Sequence, residues 1–270
     1  MSSVAEIVES RELIANLTLR ELRGRYKRSV LGWTWSLLNP LSTVVIYSVV
    51  FGVLLGAVPD RGDPSGLKNF TAFLLCGLLP WNFFGLTLNG SMGVLHSNAG
   101  LIRKVYFPRE GLVLSFVASM LITFLIEMGV LLVILAILGN NIWLWIPVTL
   151  LLMVVQTVFV TGFALALSVL NVYFRDMQYL VGNILLQAWF FLTPIVYPIR
   201  IVNEKASKPV ARLYSWNPMV RYVETYRDLL YDNRGPTLVN SLYLIGTAAI
   251  VLVIGMTIFR RYESRLAEEL

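Results

Sequence analysis

The chain has 270 residues, of which 57% are hydrophobic and only 14% charged, with a formal net charge of +6. Soluble domains carry about a quarter charged residues, and a mean hydropathy of +0.70 excludes that class. The composition is that of an all-α polytopic membrane protein. The positive charge does not indicate nucleic acid, because the basic residues crowd the ends of apolar segments, where topology and anionic lipid place them.

Residues 1–28 are charged throughout and lack the apolar core of a signal peptide, so the N-terminus is expected to stay where it is made. Read as a helix, residues 11–28 place Ala15, Leu19, Leu22 and Tyr26 on one stripe with Arg20, Arg23 and Lys27 on its flank. That pattern fits an amphipathic helix lying in the membrane interface. Leu13 and Leu17 fall off the stripe and call for another protein surface to cover them. The cluster Arg20, Arg23, Arg25, Lys27 and Arg28 serves orientation as a positive-inside signal, and guanidinium forks also suit phosphate oxygens. Both roles remain open at this level.

Long uncharged runs give six candidate spans near residues 34–58, 70–95, 111–138, 146–171, 179–199 and 238–259, each near the roughly 20 apolar residues a bilayer-spanning helix needs. Pro40 enters the first span and Pro80 interrupts the second, while Gly139-Asn140-Asn141 divides the third from the fourth. Trp33, Trp35, Trp143 and Trp145 flank spans as interfacial anchors do. Six spans put both termini on one side, which then holds 13 of the Lys and Arg residues against 9 opposite. Most of the nine sit in one long segment, whereas short loops set orientation, so both termini are expected in the cytoplasm.

Cys76 is the only cysteine, so no disulfide forms within the chain. The sole histidine, His96, ends the second span and reads as a polar boundary residue. Glu127 is the one acid inside the apolar sequence, and intramembrane ionisable residues invite a functional reading. A helix-to-helix contact, to Gln156 or Gln187, explains it as well.

Three further segments are too organised for plain linkers. Residues 98–110 interleave Leu101, Ile102, Val105, Tyr106 and Phe107 with Arg103 and Lys104, a density suited to docking a soluble partner, or to a membrane-lying turn. Residues 200–237 are too charged to span. There Asn217-Pro218 starts a helix with Met219, Tyr222, Val223, Tyr226 and Leu230 on one face and Arg221, Glu224 and Asp228 on the other. This predicts short external amphipathic or re-entrant helices between spans five and six, placed to line or close an exit, with Tyr222 and Tyr226 as gate residues. Finally, Trp81, Phe83 and Phe84 follow Pro80, and Trp189, Phe190 and Tyr197 populate the fifth span. Aromatic faces pack helices together and also stack on the apolar faces of sugars. As a set, with Trp35, they suggest a pathway.

What is missing narrows the class. The chain has no G-x-x-x-x-G-K-[ST] phosphate loop, no H-E-x-x-H and no Cys/His cluster. Neither catalysis nor a metal site is expected, and Glu110 and Asp176 are isolated acids, poor material for a membrane glycosyltransferase or phosphatase.

Six segments in order resemble the membrane subunits of ABC-2 type exporters for polysaccharides and polyol phosphates, such as O-antigen, teichoic acid and galactan exporters. They are LRELRGRYKRSVLGWTWSLLNPL (19–41), FLLCGLLPWNFF (73–84), SNAGLIRKVYFPRE (97–110), LNVYFRDMQYLV (170–181), LLQAWFFLTPIVYP (185–198) and WNPMVRYVETYRDLL (216–230). The resemblance implies a cytoplasmic interface or gate helix over 1–33 and a six-span transmembrane domain over 34–270. Within that domain it implies a coupling helix at 98–109 and an external gate at 200–237. It further implies a homodimer in a bacterial inner membrane with two copies of a separate ATPase, which carries ATP and Mg; this chain needs no cofactor. The coupling contacts would be Leu101, Ile102, Arg103, Lys104, Val105, Tyr106 and Phe107, with Arg175 and Asp176 as a second contact. A polyprenyl pyrophosphate headgroup would be drawn to Arg20, Arg23, Arg25, Lys27 and Arg28. An ABC-2 exporter of drugs or small lipids shares this layout and is the competing expectation.

Overall fold

The computed structural model describes residues 10–26, 35–54, 59–105, 107–263 and 266–269. The protein is all-helical, with no strand among these residues. In chain order the helices are α1 (Arg11–Tyr26), α2 (Trp35–Tyr47, running on as a π-type turn over Ser48–Leu54), α3 (Phe70–Ser97), α4 (Ala99–Lys104), α5 (Glu110–Ile137) and α6 (Ile146–Tyr173). Helix α7 follows in three consecutive stretches, Met177–Tyr179, a π-type Leu180–Leu185 and Leu186–Phe191. Then come α8 (Ile199–Lys205), α9 (Lys208–Trp216), α10 (Pro218–Arg227, with a π-type end over Asp228–Asp232), α11 (Leu238–Glu263) and α12 (Leu266–Glu269).

Among the described residues four helices are long and apolar enough to cross a membrane: α3, α5, α6 with its leading turn from Trp143, and α11. The six expected spans do not all reappear at the expected length. The segment expected as the fifth span, 179–199, is helical only until Phe191, followed by turns at Leu192–Tyr197. Its cause is Pro194, which has no N–H to continue the helical ladder. At 1.5 Å per residue α7 reaches roughly 22 Å, short of the ~30 Å hydrocarbon core. The first expected span is represented by α2 and its π-type extension.

Helix α3 is the central post. Asn69 caps it by accepting from the Ala72 N–H at 3.0 Å, and α5, α6 and α10 surround it. It runs unbroken through Pro80. The Gly139 expectation holds: this residue adopts φ +82 at the end of α5, a left-handed conformation that costs glycine nothing. Asn217 likewise caps α10, its side chain accepting from the Met219 N–H at 3.0 Å, with Pro218 at the first helical position.

Helix α11 lies along α6, and two glycines allow the close approach. A Cβ on Gly162 would run into the Val251 carbonyl and the Leu252 nitrogen, and one on Gly255 would run into the Gly162 carbonyl. Small residues at such crossings let backbones meet, and the van der Waals packing this allows helps drive helix association in lipid. Since the obstructing atoms are backbone, Gly162→Ala should force α11 off α6 at a cost of about 1–3 kcal/mol. Thermal denaturation in detergent should show a lowered midpoint; an unchanged midpoint would mean the crossing opens freely.

Helix α1 packs on α5 rather than standing apart. Leu17, Thr18 and Leu22 are buried, and the Thr18 hydroxyl lies 3.3 Å from the Ser115 carbonyl. The cover required for Leu17 is thus supplied by this chain itself. The expected stripe divides, with Leu22 turned to the protein and Ala15 and Leu19 exposed. Neither contact expected of Glu127 forms among the described residues, because Gln156 bonds Pro80 and Tyr226 and Gln187 is exposed.

Candidate functional site

The residues singled out in the sequence fall into a platform at the α1 end and a groove along α3 and α7. In the platform Leu17, Leu95, Ile102, Leu112, Phe259 and Leu266 form an apolar cluster of their own. Ile102 anchors α4 in it, which turns Arg103, Lys104 and Val105 outward. Leu101 and Phe107 are half-buried. Arg175 and Asp176 are exposed in the turn between α6 and α7. Two links tie the ends of the helices together: Arg109 donates to the Glu263 carbonyl, and the Arg260 Nε lies 3.7 Å from the buried Glu110 carboxylate.

Of the basic cluster, Arg20 is engaged: its guanidinium reaches the Asn98 side-chain oxygen at 2.5 Å and Glu21 at 3.4 Å. It therefore couples α1 to the start of α4. Arg23 is exposed. Lys27, Arg28 and Tyr106 lie outside the described residues, as do the side chains of Arg25 and Trp35.

The aromatic set is divided by the fold. Phe83 stacks on Phe124 with ring centroids 4.7 Å apart, and Phe84 packs on Trp189 at 5.0 Å and Phe159 at 6.0 Å. Both are enclosed, so in this conformation they join helices rather than line a passage. Trp81 and Phe190 meet at 5.6 Å on the border of a groove of about 400 Å³ between α3 and α7. Trp189 donates its indole N–H to Asn217 at 2.9 Å. At the far end of α7 the Tyr197 hydroxyl donates to the Phe191 carbonyl at 2.7 Å and lies 3.2 Å from the Tyr214 hydroxyl. Tyr222 and Tyr226, expected at a gate, have no exposed surface: the Tyr222 hydroxyl approaches the Val155 carbonyl at 3.4 Å and Tyr226 donates to Gln156 at 2.9 Å. They hold α10 inside the bundle.

The groove itself is defined by residues the sequence reading passed over. Its walls carry Asn82, Gly85 and Asn89 from α3 facing Gly182 and Gln187 from α7. Asn89 sits against Gly182, where a Cβ would lie 2.9 Å from its side-chain oxygen. Asn89, Asn183 and Gln187 are exposed and Asn82 is half-exposed; Asn82 lies roughly 18 Å and Asn89 roughly 28 Å along α3. Amides at such depth facing hydrocarbon would each cost several kcal/mol. This face therefore meets water, a polar chain or another protein surface. The opposite side of α7 differs: a groove of about 620 Å³ there is walled by Leu88, Phe163, Leu167, Val181 and Leu192. Leu186 borders both, so α7 is a thin partition between a face that mixes amides with aromatic side chains and one that is apolar. The recurrence of Asn82, Gly85 and Asn89 at helical spacing was the signal available in the sequence.

A mostly uncharged helical bundle, a polar groove at bilayer depth and a folded platform at one end describe a membrane transport subunit. The chain belongs to the ABC-2 type transporter family, whose profile matches residues 12–231. It is similar to the O-antigen export system permease protein RfbA of Myxococcus xanthus, with 30% identity covering 99% of this chain and 98% of that protein. The RfbA protein of Klebsiella pneumoniae is 31% identical over 95% of this chain and 94% of its own length. The polysialic acid transport protein KpsM of Escherichia coli is 27% identical over 93% of each.

Proposed function

We propose that the chain is the membrane subunit of an ATP-driven exporter that carries a lipid-linked polysaccharide out of the cytoplasm. The observation that carries this reading is the unpartnered polar and aromatic groove of α3 and α7 at bilayer depth, in a chain similar along nearly its whole length to polysaccharide export permeases. A glycan offers hydroxyls to Asn82, Asn89 and Gln187 and apolar ring faces to Trp81 and Phe190.

In this reading two copies of the chain set their grooves face to face, α2 and α7 complete six spans per copy, and both termini lie in the cytoplasm of a bacterial inner membrane. The exposed side of α4, with Arg175 and Asp176, receives an ATPase subunit that holds ATP and Mg. Hydrolysis there moves α4, and the Arg20 to Asn98 contact passes the motion to α1. Arg23 and its neighbours Arg25, Lys27 and Arg28 attract the pyrophosphate of the lipid carrier.

An ATPase should copurify with the chain from its native membrane. Val105→Glu places a charge on the exposed surface at the end of α4 without touching the buried Ile102 anchor. It should abolish copurification while the chain stays in the membrane. Retention of the ATPase would move the contact elsewhere.

A further inference from the structure

The turn after α7 is irregular backbone packed inside the bundle: Thr193, Pro194 and Ile195 are buried, and a broken helix there leaves carbonyls without their usual N–H donors. One side chain serves two of them at once. Arg227 of α10 is almost wholly enclosed, and it donates to the Pro194 carbonyl at 2.5 Å and the Ile195 carbonyl at 2.6 Å. Its Nε points at the Phe73 carbonyl of α3 at 3.5 Å, its guanidinium lies 3.7 Å from the Phe73 ring centroid, and Glu224 balances the charge at 2.8 Å. The fork therefore ties three elements at one point: the end of α7, the outer part of α3 and α10. Space for it is made by Gly77, where a Cβ would stand 3.1 Å from an Arg227 nitrogen and 3.0 Å from Val223.

We infer that Arg227 is the positioning residue of the outer exit, acting through the backbone of Pro194 and Ile195 rather than by touching the glycan. The held turn carries Tyr197, which bonds Tyr214 of α9, and Asn217 bonds both Trp189 and the Leu192 carbonyl at 3.2 Å. The outer end of α7, whose Phe190 and Phe191 border the polar groove, is thereby fastened to α9 and α10, which line the apolar groove on its other side; in this inference the fastened block closes the polar groove on the outside. Release of the two carbonyls leaves only the Asn217 contacts between the turn and α10, and the loosened turn lets the groove open outward. Lysine preserves the charge but has no planar fork, so it cannot hold Pro194, Ile195 and Phe73 at once.

This inference rests on the exporter reading for which end faces outward, and its test uses no glycan. A cysteine at Gln187 reports on the groove below the turn, the parent chain with buried Cys76 serving as blank. In the full complex in native membranes, a membrane-impermeant maleimide added outside should label Gln187→Cys slowly. Adding Arg227→Lys should speed labelling on the order of tenfold by raising the open population, with ATPase copurification unchanged. Gly77→Ala, which crowds the same guanidinium, should act in the same direction and more weakly. Labelling of the Arg227→Lys protein at the parent rate overturns the inference. If that variant is lost from the membrane, Gly77→Ala decides, and a parent rate there overturns it equally. Failure of the exporter reading shows separately, as normal surface glycan in cells without the chain.

Discussion

Gln156→Leu is expected to destabilise the protein by about 2–5 kcal/mol, and adding Tyr226→Phe should recover part of that loss. Gln156 has no exposed surface, and its amide joins three helices: it donates to the Pro80 carbonyl at 2.9 Å and accepts from the Tyr226 hydroxyl at 2.9 Å. Leucine matches its volume but serves neither partner. The Tyr226 hydroxyl is then a buried donor with no acceptor, and an orphaned buried group costs more than the bond that held it was worth. Phenylalanine at 226 removes the orphan while keeping the ring against Phe124, 6.2 Å away. The double variant should therefore be more stable than Gln156→Leu alone, a coupling read from a double-mutant cycle of unfolding midpoints in detergent. Additive losses would show that the two side chains do not interact in the folded protein.

The second large effect concerns transport rather than folding. Asn82→Leu combined with Gln187→Leu should lower glycan export tenfold or more, equivalent to about 1.4 kcal/mol on the transport barrier. Both residues border the groove and bond no other described residue through their side chains, so the folded state should change by no more than about 0.5 kcal/mol. The apolar replacements strip the passage of partners for sugar hydroxyls, and lining of that kind sets what a pore admits. Phe83→Leu is the contrasting case. Phe83 stacks on Phe124 away from the groove, so its loss should reduce stability by roughly 1 kcal/mol and leave export by the remaining folded protein unchanged. If the leucine pair instead prevented two copies of the chain from assembling, the polar face would be a contact between subunits and not a passage.

Much of the architecture is legible in the residues because the bilayer is a strict solvent. Uncharged runs marked α3, α5, α6 and α11, Gly139 marked the end of α5, and Asn217-Pro218 marked the start of α10. What the runs do not reveal is which of them stay straight. The segment from 179 to 199 is apolar enough to span, yet Pro194 breaks it and Arg227 holds the broken piece in place. Arg227 itself was open to view: it follows Tyr226 and stands four residues after Val223, on the apolar face of α10. A charged residue in such a position is costly unless paired, and the pairing involves backbone carbonyls 32 and 33 residues away. No local pattern announces those partners. The site was only half legible for a similar reason. Aromatics near Pro80 drew attention by size, but the helix turns Phe83 and Phe84 inward and presents Asn82 and Asn89 instead. Polar residues whose exposure matters only at membrane depth are recognised once the depth is known.

In the proposed function this chain provides the path by which a lipid-linked polysaccharide leaves the cytoplasm. Depleting the chain from its native cells and locating the glycan by side-specific enzymatic digestion of sealed membrane vesicles tests it most directly. Surface polysaccharide should fall and lipid-linked glycan should accumulate on the cytoplasmic face. Undiminished surface polysaccharide, with no glycan trapped inside, would contradict it.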